Sequence, residues 1–319
     1  MWNMSKEYFI ARRTVIIFGI MQGGMEMEYL KITEGLSFSR IIQGFWRLVQ
    51  WGWSTKELVD FMQGCVERGV TTFDTAEVYG FGECEIQIGQ VLAKYPALRN
   101  NIQLVSKTGI FNHDGFKYYD TSYERIKASC KESLKRLSCE YLDLYLIHRE
   151  DPCFNPQDTG RALLELKKEG LVKEIGVSNF DPIKFQALNQ FTQHQLSTNQ
   201  IEWNPCCYEH IHSGMIDLLT QKEIHPMIWS PLAGGKLFTS QEAPYSRVRE
   251  KLTEIGERHG VGAEVIAYAW LMYHPVKAMP IVGSSKLSRL ESAIMALDVK
   301  LERWEWYEIY TAGTGLRLR

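Results

Sequence analysis

The chain has 319 residues, 45% of them hydrophobic and 23% charged, with a formal net charge of −2. This is the balance of a globular protein with a sizeable core, and it leaves no basic footprint for nucleic acid. No apolar run nears the ~20 residues that span a bilayer, so the expected partner is a small molecule, with no nucleic acid and no membrane.

Residues 1–27 differ in character from the rest of the chain. The stretch "ARRTVIIFGIMQGG" sets two arginines before a short apolar run, loosely imitating a secretory or twin-arginine signal, but no A-x-A-like cleavage site comes after it. The preferred reading is an extension, disordered or created by a start codon placed too early. "QGG" ahead of Met25 and Met27 is what a translated ribosome-binding sequence would encode.

From Arg40 onward, short apolar runs alternate with amphipathic stretches, the signature of βαβ units and a parallel sheet. Strands are expected at 40–44, 71–74, 102–107, 142–148, 174–177, 197–201, 225–229 and 278–282. After the first, Leu58, Phe61, Met62, Cys65 and Val66 fall at i, i+3, i+4, i+7 and i+8, and Ser54 with Glu57 forms a capping box, so a helix is expected. Asp181 then Pro182 reads as an N-cap and a first-turn proline, with Phe185, Leu188 and Phe191 as the apolar face. Further helices are read up to Gly170 and around Val265, Ile266, Ala269 and Trp270. A last one over 302–310, rich in Trp304, Trp306 and Tyr307, could cover one barrel face.

Eight such units fit a single closed (β/α)8 barrel of the TIM type over residues 28–319, with an extra C-terminal helix. In that architecture the active site lies at the carboxyl ends of the strands. The alternative, a doubly wound open sheet, would announce a dinucleotide with G-x-G-x-x-G after its first strand, and that motif is absent.

Strand ends are therefore where chemistry is sought. The second strand closes on Asp74, with Tyr79 in the loop beyond ("FDTAEVYG"); the third closes on Lys107 ("VSKTG") and the fourth on His148 ("LYLIHRED"). Singly, each has a bland explanation: a helix cap, a loop aromatic, a solvated strand end, a core histidine. Together, ionisable groups closing successive apolar runs point to a shared site, because such groups are rarely buried without partners. A phenol with an ordinary pKa near ~10 needs a nearby cation to act as acid or base at neutral pH. In this reading Lys107 is that cation, Asp74 keeps it charged and oriented, and His148 donates a hydrogen bond toward a substrate oxygen. Such a set polarises and protonates a carbonyl and lacks only a hydride.

At these motifs the sequence resembles the aldo-keto reductases of bacterial type, over about residues 30–312. "FDTAEVYG" is similar to that family's Asp and Tyr motif, "SKTG" to its lysine motif and "LIHR" to its histidine motif. The resemblance implies a NAD(P)H-dependent carbonyl reductase on a (β/α)8 barrel. Tyr79 would be the general acid/base, Lys107 and Asp74 would tune it, and His148 would orient the carbonyl.

Cofactor contacts are expected beyond the later strands. Ser178 and Asn179 after the fifth, and Gln200 on the sixth, offer hydroxyl and amide groups suited to a carboxamide, although turn capping also explains the first two. The resemblance makes these three the holders of the nicotinamide amide. It makes Trp229, closing the seventh strand, the ring that stacks on the nicotinamide; a barrel-core aromatic is the plain alternative. The run Ser230, Pro231, Leu232, Ala233, Gly234, Gly235 and Lys236 offers backbone N–H groups without bulk for a pyrophosphate, with a merely flexible loop as the rival. Gly283, Ser284, Ser285, Lys286 and Arg289 lie at a helix start, a ready anion site.

Two cations there suit a 2′-phosphate and favour NADPH/NADP+, with NADH possible, since some branches of the family carry a lysine where Gly283 stands. By the same resemblance Gly44, Phe45 and Trp46 join the cofactor contacts, and the substrate pocket includes Phe45, Trp46, Arg149 and Trp203. Arg149 either favours an anionic substrate or pairs with Asp151.

No metal is expected. His210 and His212 come after "NPCCYE" in a long loop rather than ending a strand, and His225 lies downstream. The seven cysteines are odd in number and include no C-x-x-C pair, so free thiols and a cytoplasmic location are expected, for Cys206 and Cys207 as for the rest. The expected protein is a monomer or weak oligomer that reduces an aldehyde or ketone. A second reading stays open: a nucleotide-binding barrel acting as a redox sensor or regulatory subunit with little turnover.

Overall fold

Twelve β-strands carry the fold: β1 (Tyr29–Thr33), β2 (Leu36–Ser39), β3 (Ile42–Gly44), β4 (Thr72–Asp74), β5 (Gln103–Thr108), β6 (Ile110–His113), β7 (Phe116–Tyr119), β8 (Leu142–Ile147), β9 (Val172–Ser178), β10 (Leu196–Glu202), β11 (Met227–Trp229) and β12 (Met279–Val282). They are seen in a computed structural model that describes residues 26–318. The greater part of the expected N-terminal extension lies outside the described residues.

Eight of the strands form a closed barrel in the order β3-β4-β5-β8-β9-β10-β11-β12, and β12 returns to β3 by pairing Ile281 with Ile42. Every pairing around the ring is parallel. The helices between them lie outside, so this is the (β/α)8 barrel expected from the alternation of apolar runs and amphipathic stretches.

The period-2 alternation of strand side chains sorts residues between two cores. Val105, Leu144, Leu146, Met227, Met279 and Ile281 point into the barrel, where Leu30, Leu36 and Phe38 of the β1–β2 hairpin join them. Phe73, Leu104, Tyr145, Ile147, Ile228 and Val282, one position away, face the helices. The same alternation carries Asp74, Lys107 and His148 inward at the next inward-facing position of their strands, which is how polar groups reach the barrel mouth.

The helices begin where the sequence signals say. Ser54 Oγ accepts from the Glu57 N–H and Glu57 returns a contact to the Ser54 N–H at 2.9 Å, starting the helix Thr55–Glu67. Asp181 Oδ1 accepts from the N–H groups of Ile183 and Lys184, both at 2.8 Å, starting Pro182–Phe191. The C-terminal helix runs over Arg303–Thr314 and packs beside the helices Ala243–His259 and Ala263–Tyr273. Trp306 stacks on Trp270 at 5.0 Å, and each indole N–H donates to the other residue's carbonyl at 3.1 Å.

Two hairpins were not among the expected strands. The β1–β2 turn is Glu34-Gly35, with Gly35 at φ 80°. The β6–β7 turn is Asp114-Gly115, at φ 50° and 86°, and Asn112 Oδ1 accepts from the Gly115 N–H at 2.8 Å. No helix among the described residues is long and apolar enough to cross a membrane.

Candidate active site

Lys107 closes an inward row of β5 and is fully buried. Its Nζ lies 2.7 Å from Asp74 Oδ1, donates to the Thr75 carbonyl at 2.8 Å and to the Tyr79 hydroxyl at 3.2 Å. The other Asp74 oxygen accepts from Gln200 Nε2 at 2.8 Å. Both oxygens of this buried carboxylate are thus occupied, and its charge is matched by the ammonium. The His148 ring meets that of Tyr79 edge-on, with centroids 5.6 Å apart at 77°.

The electrostatics result from burial and from these partners. Burial pushes the Tyr79 phenol above its ordinary value of 10.0, and Lys107 offsets only part of the rise. Lys107 acts on the phenol in the expected, lowering direction, but desolvation is the larger effect, so the net shift is upward. Burial also works against the Lys107 ammonium, but Asp74 and Tyr79 together outweigh it and raise its pKa. His148 is held well below 6.5 by burial first, then by Lys107, Arg149 and Lys117, so it is a neutral imidazole. The arrangement offers a protonated phenol and a neutral hydrogen-bonding ring to one substrate atom.

These groups open onto a cavity of about 770 Å³ at the carboxyl ends of the strands. Its wall includes Asp74, Tyr79, His148 and Arg149, and Gly44 and Trp46 after β3. Ser178, Asn179, Gln200, Trp229, Ser230, Leu232 and Gly234 also line it, as do Gly283, Ser284, Ser285 and Arg289. Other expected residues lie elsewhere. Phe45 is fully buried against Phe73 and Trp51, because the alternation that points Gly44 inward points its neighbour at the helices. Trp203 is buried against Trp270 and His274. Lys236 begins a short helix, Lys236–Thr239, and Lys286 caps Leu287–Met295, with its N–H on Ser284 Oγ at 3.1 Å; neither lines the cavity.

The residues expected to meet a carboxamide are tied together. Ser178 Oγ donates to the Gln200 carbonyl at 2.8 Å, and Asn179 Nδ2 donates to Ser178 Oγ at 2.8 Å. The Trp229 indole N–H donates to Asn179 Oδ1 at 2.9 Å, fixing the indole on the cavity wall. Beyond it, Cβ atoms added at Gly234, Gly235 or Gly283 would meet nothing within 4 Å, so the backbone there is open to close approach by a ligand. A cavity lined by a fixed aromatic, bare glycine backbone and Ser284, Ser285 and Arg289 fits a dinucleotide.

Arg149 does not pair with Asp151. The Asp151 carboxylate accepts from Thr121 N and Oγ1 at 3.2 and 3.0 Å and from Cys153 N at 2.7 Å, while Arg149 lies over the Trp229 ring at 5.5 Å. Sequence reasoning missed Arg47, Trp51, Lys117, Glu264 and Tyr268 on the wall. Only Lys117 had a signal, the Asp-Gly turn that makes its segment a hairpin. The set-aside histidines do not converge: His212 Nε2 meets Tyr310 OH at 3.1 Å and His225 Nδ1 the Val276 carbonyl at 3.0 Å.

Residues 40–312 match the Aldo/keto reductase family. An uncharacterized oxidoreductase of Bacillus subtilis (strain 168), YcsN, is 41% identical over 91% of this chain and 99% of its own. A 6-dehydroglucose reductase of Agrobacterium fabrum is 36% identical over 91% of this chain and 99% of its own. Among solved structures, a thermostable aldo-keto reductase in complex with the inhibitor epalrestat superposes with a TM-score of 0.76 at 25% identity, over 90% of this chain and 100% of that one. The chain belongs to the aldo/keto reductase family, and its general activity is that of an oxidoreductase.

Proposed function

We propose that the protein is an NADPH-dependent reductase of an aldehyde or ketone, with Tyr79 delivering the proton to the carbonyl oxygen. The observation that carries this reading is the buried Lys107, which bridges Asp74 and the Tyr79 hydroxyl beside a neutral His148. The family generally uses NAD(P)H, and when bound the reduced nicotinamide supplies the hydride.

The chain's own residues do the rest. His148 donates a hydrogen bond to the carbonyl oxygen and aims it at Tyr79. The Tyr79 O–H then donates its proton as negative charge develops on that oxygen, and Lys107 stabilises the charge left on the phenol. Asp74 keeps Lys107 charged and in place, and Gln200 keeps Asp74 in place. Ser178, Asn179 and Gln200 would hold the carboxamide, Trp229 would pack on the ring, and Ser230, Leu232 and Gly234 would border the pyrophosphate. Ser284, Ser285 and Arg289 favour the 2′-phosphate of NADPH over NADH.

The test is carbonyl-dependent oxidation of NADPH and of NADH across a panel of aldehydes and ketones. The panel should include a sugar aldehyde, because relatives at 36% and 35% identity are 6-dehydroglucose reductases. Turnover with a lower KM for NADPH is expected. Tight NADPH binding with no oxidation by any carbonyl would replace this reading with that of a regulatory nucleotide-binding barrel.

A further inference from the structure

Two cations stand without counter-ions on the cavity wall near Tyr79 and His148. Lys117 reaches it from the β6–β7 hairpin, and Arg149 comes directly after His148. Neither takes part in an ion pair among the described residues, although acids lie close to Arg149 in the chain. Glu150 is committed to Lys184 at 2.7 Å, and Asp151 to Thr121 and Cys153. Across the hairpin Lys117 faces Asn112, an uncharged partner.

The negative charges of the cavity are spoken for or distant. Asp74 is held between Lys107 and Gln200. Glu264 and Arg289 both act on the Tyr268 phenol. Glu202, at the end of β10, feels the charge of Arg149 without forming an ion pair with it; burial raises its pKa and Arg149 lowers it. The Arg149 guanidinium lies over the Trp229 ring at 5.5 Å. The Arg149 side chain makes no hydrogen bond or ion pair among the described residues, so its planar guanidinium can take a planar oxyanion. Trp46, Val78 and Ile110 supply apolar wall alongside.

We propose that the carbonyl substrate carries an oxyanion group, a carboxylate or a phosphate, which Lys117 and Arg149 bind while the carbonyl sits at Tyr79 and His148. This inference rests on carbonyl reduction at that site and adds the class of substrate. An anion at that point makes charge-assisted hydrogen bonds to the half-buried Arg149 and the exposed Lys117, which a neutral substrate cannot. In this proposal the anion is a second handle, beside the carbonyl, that fixes which end of the substrate reaches Tyr79.

The experiment compares matched carbonyls that differ only in charge: 4-carboxybenzaldehyde with 4-formylbenzamide, and glyceraldehyde 3-phosphate with glyceraldehyde. In at least one pair, the wild-type kcat/KM for the anion should exceed that for its neutral partner by about ten-fold or more, as expected of a charge-assisted contact. The pair with the larger ratio tells carboxylate from phosphate. The ratio should fall toward unity in Arg149→Met and in Lys117→Met, and Arg149→Lys should retain part of it. Equal or better use of the neutral partner in both pairs overturns the proposal. A second readout needs no turnover: quenching of tryptophan fluorescence with NADP+ present gives the Kd of each compound. Should no carbonyl be reduced, preferential binding of an anion that depends on Arg149 and Lys117 still supports the anion site while the reductase reading fails. Equal binding of the paired compounds would refute the anion site.

Discussion

The Lys107 ammonium and the Asp74 carboxylate form a buried ion pair at 2.7 Å, in which the two side chains are 0% and 4% exposed. A buried pair gains little net stability over an apolar replacement, because desolvating both charges offsets their attraction. Its presence at the barrel mouth is therefore better explained by what it does to its third partner, the Tyr79 hydroxyl at 3.2 Å. In the proposed reading, what the pair provides is a cation beside a phenol that gives its proton to a bound oxygen.

Replacing Lys107 with Met leaves the buried Asp74 carboxyl without its cation and held only by Gln200. Urea denaturation should show a loss of about 3–5 kcal/mol, the range for breaking a buried pair from one side. The pH dependence has a definite sign. The folded-state pKa of Lys107 lies above its ordinary 10.5, so its contribution is whole below 10.5 and is lost as pH rises through the higher folded value. The difference between wild type and variant should thus be constant through neutral pH and shrink only in strong alkali.

His148 makes the opposite demand. Its folded-state pKa lies well below 6.5, so as pH falls past 6.5 the unfolded chain takes up a proton that the folded site refuses. Stability should decline with acidification from that point until the folded value is reached, with a slope of about 1.4 kcal/mol per pH unit from this one group. Urea midpoints for wild type and His148→Asn, measured from neutral pH downward, isolate the contribution by difference. Parallel curves would show that His148 is not a neutral, buried ring.

Gly283 offers a test of cofactor choice. A Cβ there meets nothing within 4 Å, and the residue sits beside Ser284, Ser285 and the helix bearing Arg289. Gly283→Lys should fold with a stability within about 0.5 kcal/mol of wild type, as surface changes do. It should lower the KM for NADPH relative to NADH by up to about five-fold, the worth of an exposed ion pair. An unchanged ratio would place the 2′-phosphate elsewhere.

The barrel was legible because each strand is a short apolar run followed by a helix with its own start signal, as at Ser54 and Asp181. Asp74, Lys107 and His148 were legible because polar residues closing apolar runs are rare and one barrel face collects all such ends; Tyr79 was legible only from the loop motif beyond Asp74. What the chain does not announce is direction. Phe45 and Trp203 read as pocket aromatics by position, yet the alternation at β3 turns Phe45 outward and the contacts of Trp203 with Trp270 and His274 hold it in the outer core. The Asp-Gly turn at Asp114 was a readable hairpin signal, whereas the Glu34-Gly35 turn is weaker, and both hairpins carry too few residues to stand out from loops. The direction of the Tyr79 shift depends on how much water the fold excludes, which no local pattern contains.

The central claim is that Tyr79 supplies the proton. The most direct measurement is carbonyl-dependent NADPH oxidation by wild type and Tyr79→Phe at saturating cofactor, with NADPH affinity determined for both. The account predicts cofactor affinity within about two-fold and a kcat lower by about 10²–10⁴, the range for losing a positioned general acid. A Tyr79→Phe protein that oxidises NADPH at the wild-type rate would contradict it.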